Sequence, residues 1–160
     1  MRIKAAVGVG AMLAGMLWMA AGQAQMRAGE LGDDLLTYVD FDYATQQAAQ
    51  SCKRRYPEWI EPMQKAHREW RELHGKAQKE ELALRISQLP ARPTGDPDPV
   101  RLLQADLRAQ FTNAIAQMDP QDLLKFCREY AQQFANPAMN FTERLLRAQT
   151  EAAEFNRKKP

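Results

Sequence analysis

Two cysteines, Cys52 and Cys127, are the whole thiol inventory of this 160-residue chain, and they limit its fold more than any other feature. In an oxidising compartment an even count points to a disulfide, and two thiols allow one pairing. That pairing ties two distant stretches of chain, and closing such a loop is worth about 4 kcal/mol on the chain-entropy account. A metal pair or a redox dithiol is the weaker reading. The chain has no C-x-x-C, and no histidine stands within a few residues of either cysteine.

The compartment is read from the first residues. Arg2 and Lys4 make a short positive region, Ala5 to Ala21 is uncharged and mostly apolar, and Gly22-Gln23-Ala24 offers small residues for cleavage. This is the pattern of a secretory signal peptide, expected over residues 1–24 and cut after Ala24. Residues 25–160 then form one helical domain, too short for two separate cores. We expect a periplasmic or secreted protein with no transmembrane span after cleavage. Without Arg2 and Lys4, the 22 basic side chains become as numerous as the 20 acidic ones. A neutral, evenly mixed surface carries no footprint for nucleic acid.

Apolar spacing predicts an all-α fold. From about Asp34, the residues Phe41, Ala44, Ala48, Cys52 and Tyr56 recur on one helical face until Pro57 ends the run. A Tyr-Pro-Glu-Trp corner follows. The next stripe reads Ile60, Met63, Ala66 with His67, Trp70, Leu73 with His74, and Ala77. The pairs Glu61–Lys65, Glu72–Lys76 and Glu81–Arg85 stand at i, i+4 on what should be the solvated face. The later half of this helix is poor in large apolar residues, so it either overhangs the core or bends at Gly75. Residues 89–99 hold four prolines and one glycine and read as an extended linker.

Asp98-Pro99, Asp119-Pro120 and Asn136-Pro137 each pair an N-capping side chain with a first-turn proline. They open helices with core stripes through Phe111, through Cys127 to Phe134, and through Phe141, Leu145, Ala148, Ala152 and Phe155. Asn140 is a second possible cap for the last. The expected architecture is an irregular, broadly up-and-down bundle of four to five helices, with one disulfide pinning the first helix to the fourth.

Chemistry is scarce. His67 and His74, seven apart, are separated by about 10.5 Å along a helix, too far to share a metal. A haem attachment motif is missing, and Ser51 and Ser87 lack a nucleophile setting. Asp40 and Asp42 read as helix-dipole partners rather than an acid/base pair. The expectation is a protein that is not an enzyme and carries no metal or cofactor.

The leading reading is a non-enzymatic protein-binding accessory factor, inhibitor or chaperone-like protein, acting on another exported protein or envelope component. Its candidate binding face comprises Trp59, His67, Trp70 and His74 with the basic cluster Lys53, Arg54 and Arg55. The alternative is a small-ligand or cofactor carrier with a pocket inside the bundle, beside Trp70 and His67.

Overall fold

The protein is described by a computed structural model over residues 35–89 and 98–158. The expected signal peptide (1–24), the stretch after it and linker residues 90–97 lie outside the described residues. Among the described residues there are five α-helices: α1 (Phe41–Lys53), α2 (Ile60–Ser87), α3 (Pro99–Ala116), α4 (Pro120–Glu129) and α5 (Phe141–Lys158). Short 3-10 turns occupy Leu35–Tyr38, Pro57–Trp59, Tyr130–Ala135 and Pro137–Met139. No strand occurs among the described residues.

Side-chain caps set most of the starts. Asp98 accepts from the Val100 amide, and Asp119 from the amides of Gln121 and Asp122, each with a proline in the first turn. Asn136-Pro137 behaves differently. Asn136 caps only the three-residue turn Pro137–Met139, and Asn140 then accepts from the Glu143 amide to start α5. The first helix also begins later than Asp34. Asp40 is its cap, accepting from the Tyr43 amide at 3.0 Å, while Leu35–Tyr38 forms a separate turn. Tyr56 lies beyond the end of α1, and its hydroxyl donates to the Pro120 carbonyl. The α-geometry of α4 stops at Glu129, giving way to a 3-10 turn through Phe134.

The bundle is assembled around α1. Its pairings with α2 run in opposite order (Val39 with Gln78, Asp42 with His67 and Arg71), so these two helices are antiparallel. Pairing of Asp40 with Arg108 and Tyr43 with Thr112 sets α3 parallel to α1. The Cys52–Cys127 disulfide fastens α4, with Cα atoms 5.9 Å apart and both residues buried. Cys52 and Cys127 pack with Ala44, Ala48, Met63, Phe111, Ile115 and Phe126. The small alanines on α1 let its neighbours approach this closely. Because the Tyr130–Met139 segment crosses the bundle, α5 follows the direction of α2 (Trp70 with Phe141, His74 with Thr142), which departs from a strict up-and-down order.

The second half of α2 corrects the sequence reading. The helix is continuous for 28 residues, about 42 Å. Gly75 is buried in it, and a Cβ there would stand 3.0 Å from Arg71 Cγ, so the glycine makes room for the Arg71 stem. Nothing overhangs here. The turn Leu35–Tyr38, α3 and α5 cover this half of α2, and Leu82 joins Tyr38, Val100 and Leu103 in a second core cluster.

Glu81, expected on the solvated face, is fully buried. It pairs with Arg85 on its own helix at 3.0 Å and with Arg144 of α5 at 3.2 Å, and accepts from the Thr37 hydroxyl at 2.9 Å. Arg144 also donates to Thr37 and lies over the Phe141 ring. This cluster locks the N-terminal turn, α2 and α5 together. Two expected core residues are instead on the surface. Leu73 is 72% exposed because the line actually covered runs through Trp70, Ala77 and Glu81, and Phe155 is 60% exposed near the end of α5.

Candidate functional site

The two antiparallel helices α1 and α2 leave a groove between them. On α1 its wall is Asp42, Gln46, Gln50 and Lys53, positions that recur every three or four residues and so share one face. On α2 the facing line runs from Ile60 through Gln64, Arg68, Arg71 and Gly75 to Lys79 and Leu82. Two open depressions occupy the groove. One, of about 570 Å³, lies between Gln46, Gln50 and Lys53 on one side and Ile60, Gln64 and Arg68 on the other. The second, of about 450 Å³, lies over Gly75 between the start of α1 and Lys76, Gln78 and Lys79. Asp42 lines both.

Asp42 bridges the helices where the depressions meet. Its Oδ1 is 3.3 Å from Arg71 Nη1 and 3.2 Å from His67 Nε2. The His67 contact is off the hydrogen-bond line, so Nε2 is a buried atom without a hydrogen-bond partner among the described residues. The ring lies stacked with Trp70 and tilted against Phe134. Burial holds the imidazole below its ordinary pKa, opposed by Asp42 and reinforced by Arg71 and Arg68.

This depression has a consequence for stability. In the unfolded chain the group titrates near its ordinary value of 6.5, so between that pH and its lowered folded value the unfolded state binds more protons. The stabilisation is complete above the unfolded pKa and is lost as pH falls through the folded one. We expect urea midpoints to decline on acidification below about pH 6.5, by at most about 1.4 kcal/mol per pH unit from this one proton. His67→Phe, which keeps the ring stack, should flatten that part of the profile.

The groove floor is solid. Phe41, Trp70, Phe134 and Phe141 are packed with ring centroids 4.9–6.2 Å apart, and the Trp70 indole donates to the Met139 carbonyl at 2.9 Å. The space beside Trp70 and His67 is therefore filled with aromatic rings. Tyr130 adds a buried phenol bonded to Thr45 at 3.2 Å, its pKa pushed up to about 12 by burial. It stays neutral at ordinary pH.

The residues expected to form one binding face are dispersed. Lys53 lines the groove, and His67 and Trp70 lie in its floor, largely covered. Arg54 and Arg55 are exposed in the turn after α1, away from both depressions. Trp59 is half-buried against the disulfide cluster. His74 faces α5, with Nδ1 3.2 Å from the Thr142 hydroxyl. Among the described residues no group of three or more His, Cys, Asp or Glu is arranged to hold a metal, and no helix is long and apolar enough to cross a membrane.

No protein-family model, curated protein or solved structure matches this chain. Function is read from its own residues.

The groove is basic by count. Its lining holds five cations, Lys53, Arg68, Arg71, Lys76 and Lys79, and only two acids, Asp40 and Asp42. Asp40 is engaged by Arg108 and Asp42 by Arg71, and Lys76 reaches Glu80 at 3.6 Å. Among the described residues Lys53, Arg68 and Lys79 are the lining cations that form no ion pair, and they are the ones able to act on a ligand. The sequence reading singled out Lys53 but not Arg68 or Lys79. The signal it passed over was the line of Gln46, Gln50 and Lys53 continuing the Asp42 face of α1.

Proposed function

We propose that this protein is a non-enzymatic binding factor that works outside the cytoplasm, in the periplasm or as a secreted protein, on another exported protein or envelope component. The observation that carries the reading is the groove along α1 and α2. It is open and basic at its rim, on a domain whose formal charges, groove included, sum to zero once the expected leader is removed. Shallow, extended depressions with a filled floor suit contact with another macromolecule, whereas small-molecule sites are enclosed and mostly apolar. The buried disulfide is compatible with export, and it holds α1 against α4 so that the groove wall is fixed before a partner arrives. Such preorganisation reduces the ordering cost of association.

The test is a crosslinking scan in the producing cell. A photoreactive phenylalanine analogue is placed singly at exposed positions on each helix, including Gln50, Leu73, Lys79, Leu124 and Leu146. The expected result is one recurrent exported partner, captured from a contiguous set of positions. Crosslinks from no position, with every variant folded and exported, would count decisively against a binding role.

A further inference from the structure

The groove has enough definition to specify what occupies it, given the protein-binding reading on which this step rests. We propose that it receives an extended, acidic peptide segment of the partner, laid along α2 and held by Arg68 and Lys79 at its charges and by groove glutamines at its backbone.

Length comes first. From Ile60 to Leu82 the two depressions, with the Asp42–Arg71 pair between them, run along about 33 Å of α2, which an extended chain covers in about ten residues at roughly 3.3 Å each. Arg68 and Lys79 stand about 16.5 Å apart along the helix, the span of about five extended residues. Both side chains are exposed on the groove wall. Side chains of an extended segment share a face only at even separations, so acids four or six positions apart, with the long Arg68 and Lys79 side chains taking up the remainder, meet both cations. Lys53 is a third, across the groove from Gln64.

The glutamines choose between polyanions. Gln46, Gln50 and Gln64 are exposed in the same depression. A primary amide offers both donors and an acceptor, matching the alternating N–H and C=O groups of a peptide backbone. A polyphosphate, which carries no donor, would use the cations and leave the amide acceptors idle. Like-charged rims also repel basic segments, so the same residues supply selectivity.

The experiment uses the oxidised protein and a fluorescein-labelled decapeptide of Ser, Thr and Ala with glutamates at positions 3 and 7, on one face of the extended chain. Controls carry glutamine or lysine at those two positions. Anisotropy should report saturable binding of the glutamate peptide, weakening as salt rises, with about tenfold or more lost in the glutamine control. Arg68→Glu with Lys79→Glu should abolish binding, and Gln46→Ala with Gln50→Ala should weaken it several-fold. All four positions are exposed, so an unchanged thermal midpoint confirms the fold of each variant. Equal binding of the glutamate and glutamine peptides, or indifference to the charge reversal, overturns the proposal. So does polyphosphate binding as tightly as the peptide while ignoring the glutamine substitutions, which would assign the groove to a polyanion. The crosslinking positions separate this failure from failure of the broader reading. Capture at Leu73 or Leu146 but not at Gln50 or Lys79 would place the partner elsewhere on the protein.

Discussion

Glu81→Ala is expected to cost about 3–5 kcal/mol of folding stability, read from urea midpoints at constant m-value. Glu81 is fully buried, and Arg144 is only 6% exposed. Removing the carboxylate takes from the desolvated Arg144 guanidinium the acid that it meets at 3.2 Å, and it leaves the Thr37 hydroxyl without its acceptor. Arg85 suffers less, since its side chain reaches solvent and can turn outward. Replacing both partners is a different matter. Glu81→Met with Arg144→Met removes the desolvation cost of the pair together with its attraction, and buried pairs exchanged this way are often neutral or more stable. The double variant should therefore recover most of what the single one loses, and a double-mutant cycle would give a coupling energy of several kcal/mol. A small single-variant loss would mean that the three elements joined here are held by their apolar contacts alone.

The disulfide carries the second large effect. Cys52→Ala with Cys127→Ala should lower stability by about 4 kcal/mol, the loop-closure contribution for a separation of 75 residues. Both sulfurs are buried among alanines, Met63 and aromatic rings, so the substitution also leaves a small void that adds to the loss. Chemical reduction of the folded protein should be slow, because the bond is reached only when α1 and α4 part. Once reduced, the chain should show a broader transition and weaker protection of α4 in hydrogen exchange. An unchanged midpoint after complete reduction would show that α4 is held well enough without the bond.

Local signals were legible in the sequence, and long-range burial was not. The Asp-Pro starts of α3 and α4 are fixed by a capping side chain and a ring within a few residues, so the sequence alone locates them. Asn136-Pro137 carries the same signal but opens only a short turn, because Asn140 offers a competing cap just before Phe141 and the buried end of α5. Glu81 and Arg85 have the spacing of a solvated surface pair, and they do form it. What buries Glu81 is Thr37 from 44 positions away and Arg144 from 63 positions away, a coincidence that no local window contains. Leu73 fails for the opposite reason. Its spacing fits the core stripe, but the stripe is wider than the strip of α2 its neighbours cover.

The candidate face divides along the same line. Helical spacing correctly places His67, Trp70 and His74 near one another, yet burial is decided by Phe134 and Phe141 from later in the chain. Arg68 and Lys79 were not singled out because each has a glutamate next to it in sequence, Glu69 and Glu80. They become a basic rim only when α1 lies beside α2 and brings Lys53 and the glutamines opposite them.

Export and the single covalent tie are best tested together, by peptide mapping without reduction of the protein recovered from the cell envelope or culture fluid. The account predicts an N-terminus at Gln25 and a linked peptide containing Cys52 and Cys127, with no free thiol. A chain still beginning at Met1 and bearing two alkylatable cysteines would contradict it.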